Sequence, residues 1–364
     1  MTAGGFAVTH RMVLGLAVPM ALGFLTIPLL GITSTAVAGR LGDPNILAGL
    51  AIGAVLFDIL FATFNFLRAS TTALTAQAWG RNDRPEQEAI FWRALLLAVT
   101  LGLLIAALSP LLLKAGLAVM GPGAGAGEAT ARWFQLRILS APAGLANYAI
   151  LGFLLGRGQA RLGLGLQAVI NGLNIALCIL LGLVLQGGIA GIALATVISE
   201  MVGMLVGLAV ILPGLHSRDP RRIPGLLDRP KVMALVALNG DIMIRTFVLL
   251  GAFLLMTRIG AHLGPLTLAA NAVLMNFFLI GGYWLDGLAN AAETIIGRAV
   301  GADFRPAFDR GLKLTGYWSL ALAVLISMLL AIFGQSAIDF LTTSQPVRQI
   351  AYDNLGWAAI LPIS

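Results

Sequence analysis

Apolar runs of roughly 20 residues or more recur from one end of this chain to the other, each long enough to cross the hydrocarbon core of a bilayer. Nothing else in the sequence constrains the fold as strongly. In lipid the backbone must satisfy its own hydrogen bonds, and uninterrupted apolar segments of this length do so as helices. The expected fold is therefore all-α: a polytopic membrane protein with spans at about 11–38, 46–78, 88–113, 130–156, 162–186, 188–212, 233–260, 265–297 and 311–336. A tenth span begins near residue 349 and is cut off at Ser364. Charged residues make up 11% of the chain, about half of what a soluble domain carries. The 44 glycines suit close helix packing in lipid, as in the pairs Gly49–Gly53, Gly187–Gly191 and Gly203–Gly207.

Several function classes fall away. The net charge of +7 does not point to nucleic acid, because the basic residues are scattered through short loops instead of gathered on one soluble face. A single cysteine, Cys178, leaves no disulfide framework and no cysteine-based zinc site. The three histidines, His10, His216 and His262, lie at span ends or in loops, and no paired metal motif accompanies them. No metal, no cofactor and no enzymatic activity are expected. The opening "MTAGGFAVTHRM" leads directly into a span without a small-residue cleavage site, so a cleavable signal peptide is not expected.

Placing the N-terminus in the cytoplasm puts 15 of the 23 Lys and Arg in inner loops and 6 outside, Arg137 among the latter, with Arg68 and Arg245 inside spans. That bias sets the expected orientation. The longest polar stretch, "LPGLHSRDPRRIPGLLDRPK" at 212–231, follows six spans and reads as a linker. It divides the chain into a six-helix lobe over 1–212, a cytoplasmic linker over 213–232 and an incomplete second lobe over 233–364. The halves resemble each other. "LAIGAVLFDILFATFNFLRA" at 50–69 aligns with "LAANAVLMNFFLIGGYWLDG" at 268–287 at a constant offset of 218. Two such lobes around a cleft form a transporter plan, in which the lobes rock about a central site.

The stretches "PLLGITSTAVAGRLG" at 28–42, "FLRASTTALTAQAWG" at 66–80, "LSAPAGLANYAILGFLLGRGQAR" at 139–161 and "YWLDGLANAAETIIGRAVGA" at 283–302 resemble the multidrug and toxic compound extrusion (MATE) family, in particular its DinF-like branch. So do "ALATVISE" at 193–200 and "NGDIMIR" at 239–245. The resemblance implies a monomeric inner-membrane antiporter of twelve helices in two pseudo-symmetric lobes. Such a carrier exports cationic or amphipathic drugs against an inward flow of protons or sodium ions. By that standard the chain is short by some 60–90 residues at about 20 residues per span plus loops, and a fragment is expected over a naturally incomplete product. A lipid-linked-precursor flippase of related architecture, or a non-transporting fragment, are the alternatives.

In relatives, coupling in the first lobe depends on an Asp in span 1 within "GLVDTAV" and on an Asn-x-x-x-Asp pair in span 5. Here the corresponding residues are Ser34, Asn174 and Cys178. Both family acids are absent. Charge inside a bilayer is costly, so every remaining in-span acid is a candidate for the coupling role: Asp58, Glu200, Asp241, Asp286 and Glu293. Asp241 stands four residues before Arg245, the helical spacing of an ion pair. Glu200 is read at the end of span 6. Asp58 lies near mid-membrane, and Asn276 matches it in the repeat. Asp286 and Glu293, seven residues apart, share one helix face about 10 Å apart. Asp286 matches Arg68 in the repeat, and the two are expected to approach near the inner mouth as a gate; the alternative is that each finds partners within its own lobe. Tyr283, Trp284, Asn271 and Asn276 are candidates for the substrate cleft, and Pro19 and Pro28 for a hinge in span 1.

Overall fold

A computed structural model describes residues 6–216, 223, 225–237, 263–342 and 344–363, with isolated positions between 244 and 259. Among these the secondary structure is helical, and eight helical segments are long and apolar enough to cross a membrane.

The first span consists of two helices, α1 (His10–Leu25) and α2 (Ile27–Arg40). Thr9 starts α1 by accepting the Met12 backbone N–H at 3.2 Å, an N-cap that satisfies one orphan donor of the first turn. The helix runs on through Pro19. It stops at Thr26 because Pro28, in the first turn of α2, has no N–H to return to the Phe24 carbonyl. The Thr26 hydroxyl instead donates to the Gly23 carbonyl at 2.6 Å, and the Asn171 side chain donates to Thr26. Of the two prolines read as a hinge, Pro28 marks the interruption.

The second span is α3 (Pro44–Thr63) and α4 (Phe66–Gly80). The third, expected to be continuous over 88–113, breaks at Leu108 into α5 (Arg84–Ala107) and α6 (Ser109–Met120), with Pro110 opening the second piece. The fourth comprises α7 (Ala124–Arg137), a 3-10 turn and α8 (Ala141–Gly156), so it starts six residues before the expected boundary. The fifth is α9 (Ala160–Ile179), closed by a π-helical turn, and the sixth is α10 (Gly188–Ile211). At the end of the linker, α11 (Arg229–Ala237) begins and leads into the expected seventh span. Asp241 and Arg245 of that span lie outside the described residues. Then follow α12 (Pro265–Gly301), α13 (Arg305–Leu341) and α14 (Gln345–Ile360). At 37 residues each, α12 and α13 are about 55 Å long and outreach a bilayer core.

Within the first six spans α8 is the central helix. Every residue of it except Pro142 and Tyr148 is buried, chiefly against α4 and α5. Small residues make that possible: a Cβ on Gly152 would stand 2.6 Å from the Arg68 carbonyl, and one on Gly156 2.6 Å from the Thr72 carbonyl. The glycine pairs picked out in the sequence are tight as well, Gly49 and Gly53 under Ala129 and Trp133, Gly203 and Gly207 under Ile170 and Ile150. Helix α12 joins the two halves, packing on α1, α4 and α8 on one side and on α13 and α14 on the other. The linker is docked where it is described: Arg93 donates to the Leu226 carbonyl at 2.8 Å, and Lys231 pairs with Glu86 at 2.8 Å.

Candidate functional site

The break at Thr26 opens onto a cavity of about 440 Å³ lined by the first, second, fourth, fifth and sixth spans. Ser34 reaches it from α2, Asp58 from α3, Arg137 from α7, Tyr148 from α8, Asn171 and Asn174 from α9, and Glu200 from α10. The sequence reading placed the site between the two halves. Among the described residues, those that line the cavity and gather its polar candidates all belong to the first half.

Ser34 and Asn174 share this cavity, and the Cys178 thiol lies 4.0 Å from the Ser34 hydroxyl. The positions that carry acids in relatives are thus adjacent here, with neutral groups in both. Asp58 lines the same cavity from α3. Its carboxylate makes no hydrogen bond or ion pair among the described residues and is open to the cavity. Glu200 is differently placed. It lies in the middle of α10 instead of at the end of its span, because that helix runs eleven residues beyond it to Ile211. Its Oε2 accepts from Asn147 Nδ2 at 2.7 Å, and the same amide reaches the Glu200 backbone carbonyl at 3.0 Å.

Arg137 corrects the loop count. It was assigned to the outer side, yet α7 begins at Ala124, which carries Arg137 thirteen residues inward, about 20 Å along the helix. Its guanidinium stacks over Phe57 at 4.6 Å and Phe61 at 5.7 Å, and it donates to the Ser140 hydroxyl. Both Asp58 and Glu200 lie within reach of its charge. The cavity therefore holds two carboxylates and one guanidinium against aromatic walls. With the acids ionised the balance is one negative charge, and one added proton or cation makes it neutral.

The remaining candidates lie on α12. Arg68 donates to Asn290 Oδ1 at 2.6 Å, and Asn290 Nδ2 donates to the Asp286 backbone carbonyl at 2.7 Å. The expected crossing from Arg68 to this helix is thus made through Asn290, one turn beyond Asp286. Glu293 is half-buried on the same stretch. Nearer the end of the helix, Arg298 is sandwiched between Trp79 at 3.9 Å and Phe6 at 4.1 Å, and Thr294 donates to the Leu155 carbonyl at 3.1 Å. Tyr283 packs into the apolar cluster shared by α1, α12 and α13, within reach of the charges of Asp58 and Asp286. Tyr283, Trp284, Asn271 and Asn276 are not among the residues lining the cavity, and Asn276 spends its amide on the Ala272 carbonyl of its own helix.

Arg137, Tyr148 and Asn171 are cavity residues that the sequence reading passed over, as was Asn147, the partner of Glu200. Only Arg137 carried a usable signal, its depth below the glycine-rich loop at 121–127. The rest are single polar residues in apolar helices whose facing is set by packing. Among the described residues no cluster of His, Cys, Asp and Glu could hold a metal ion.

Comparison with known proteins matches the family model described as MatE over residues 19–180 and 242–362. The chain is similar to DNA damage-inducible protein F of Escherichia coli K12, at 38% identity over 358 residues, covering 96% of this chain and 76% of that protein. Its fold is similar to a Vibrio cholerae MATE transporter (TM-score 0.89, 20% identity, 97% of this chain and 80% of that one). It is also similar to an outward-facing multidrug resistance transporter of the MOP superfamily (TM-score 0.87, 18% identity, 97% and 79%).

Proposed function

The chain belongs to the MatE family of multidrug efflux transporters, and from that premise we propose that it is a cation-coupled antiporter for cationic amphipathic compounds, energised through Asp58. The observation that carries this reading is the unpartnered Asp58 carboxylate in the same cavity as Ser34 and Asn174. The family positions lack acids here, and Asp58 restores one negative charge to the space they line.

The mechanism follows from charge balance. With Asp58 and Glu200 ionised and Arg137 charged, the cavity attracts one cation. A proton on Asp58, or a sodium ion held by Asp58 with the Ser34 and Asn174 oxygens, neutralises that attraction. Coupling ion and cationic substrate therefore compete for one charge, and occupancy by the first releases the second. Glu200 is held by Asn147 and Arg137 lies within reach of both acids, so both position the field instead of exchanging with solvent. The Phe57, Phe61 and Trp133 rings supply the apolar surface for an amphipathic body. Access alternates by opening and closing the seam between α12 and helices α1 and α4, with the N-terminus cytoplasmic in the plasma membrane. The sign of the cavity favours cation export over movement of an anionic lipid-linked precursor.

The test is export of a lipophilic cation from proteoliposomes carrying the full chain, with pH and sodium gradients imposed separately. Asp58→Asn is expected to abolish gradient-driven export while Asp286→Asn retains it. Undiminished export by Asp58→Asn removes the proposal.

A further inference from the structure

A second, smaller polar cavity of about 130 Å³ lies at the end of the first bundle where α5 begins, between Arg84, Gln87, Glu88, Phe153, Arg157 and His216. It is far below the about 300–1,000 Å³ of pockets that take drug-sized ligands, so it is not a second substrate chamber. Its contents are unusual in one respect. Gln87 is only 5% exposed, yet its side-chain amide makes no hydrogen bond among the described residues. That amide opens onto the void, where a ligand can reach it. Neither Arg84 nor Arg157 has an ion pair or side-chain hydrogen bond among the described residues; Arg157 only stacks over Phe153 at 5.5 Å. The one acid in the cavity, Glu88, is already engaged, its Oε1 accepting from the His216 backbone N–H at 2.8 Å and lying 3.1 Å from the His216 ring nitrogen. Two guanidinium groups without protein partners, Arg84 exposed and Arg157 half-buried, and the Gln87 amide thus border a space the size of one small polyatomic anion.

We propose that this cavity binds a phosphate group, with Arg84 and Arg157 neutralising its charge and the Gln87 amide donating to one oxygen. Guanidinium groups match phosphate in geometry and charge, and a basic cavity between spans at a membrane surface is suited to the headgroup of an anionic phospholipid. A lipid phosphate and a free phosphate present the same chemistry, and the experiment separates them.

The full chain in neutral detergent is titrated with short-chain phosphatidylglycerol, short-chain phosphatidylcholine and sodium phosphate, with bound molecules counted by native mass spectrometry. One molecule of phosphatidylglycerol or of phosphate is expected to bind, about tenfold more weakly in Arg84→Gln/Arg157→Gln. Gln87→Leu, which leaves the charge unchanged, is expected to weaken it as well, while Arg11→Gln/Arg81→Gln at the same end of the bundle leaves it unaltered. Binding of phosphatidylglycerol alone assigns the site to lipid, and binding of sodium phosphate assigns it to the soluble ion. Equal binding of both anions by wild type and Arg84→Gln/Arg157→Gln, or an equal loss in Arg11→Gln/Arg81→Gln, overturns the proposal.

Discussion

Arg68 of α4 donates a 2.6 Å hydrogen bond to Asn290 of α12, a side-chain contact across the seam between the two halves of the chain. It is charge-assisted and half-buried, stacked on Phe24 at 5.1 Å, and steadied by Asn65 from its own helix turn. In the proposed cycle this seam opens and closes, so the contact biases that equilibrium.

Removing it is expected to favour the state in which α4 and α12 separate. A hydrogen bond to a charged group contributes about 1.5–3 kcal/mol, which corresponds to a population shift of roughly 10- to 150-fold. Asn290→Ala should show that shift as a second, longer distance between spin labels at the Gly80 and Gly301 ends of the two helices. An unchanged distance distribution would show that the bond plays no part in closure.

The same seam depends on glycine. A Cβ on Gly297 would lie 2.9 Å from the Ala76 side chain, and one on Gly301 would run into the Gln77 backbone, which cannot retreat as a flexible side chain does. Gly301→Val is therefore expected to hold the seam apart and to stop transport while the protein still inserts and folds. Transport at the wild-type rate would count against a closing seam at this point.

Asp58 and Glu200 share a cavity but are expected to differ in stability. Glu200→Ala takes the acceptor from Asn147, whose own Oδ1 is already buried without a partner. The expected loss is about 1–3 kcal/mol, read as a lowered thermal midpoint in detergent. Asp58→Asn removes no hydrogen bond and should leave that midpoint near the wild-type value. The reverse order would exchange the roles assigned to the two acids.

Arg137 subtracts one positive charge from what the cavity offers a cation. Arg137→Met keeps stem packing against Phe57 and Phe61 and leaves both carboxylates uncompensated. Binding of a lipophilic cation, measured by fluorescence titration, is expected to tighten by about tenfold, equivalent to about 1.4 kcal/mol. Weaker binding would show instead that the guanidinium contacts the ligand directly.

Hydropathy is a local property of the chain, and lipid enforces it segment by segment. Eight of the spans and the all-helical class were therefore legible before any coordinates, the family was legible from its motifs, and so were the close glycine contacts at Gly49, Gly53, Gly203 and Gly207. The carboxylates Asp58 and Glu200 stood out for the same reason, since each interrupts an apolar run. Which of them meet, and where, was not written in that pattern. Ser34, Asp58, Arg137, Asn174 and Glu200 come from five different helices, and they share one cavity only because packing sets the rotation and depth of each. Arg137 moved from an outer loop into the bundle because α7 begins earlier than its hydropathy suggests. Arg68 reached Asn290 instead of Asp286 because a helix advances one turn in about 3.6 residues, and only the packing of α4 on α12 decides which turn lies opposite.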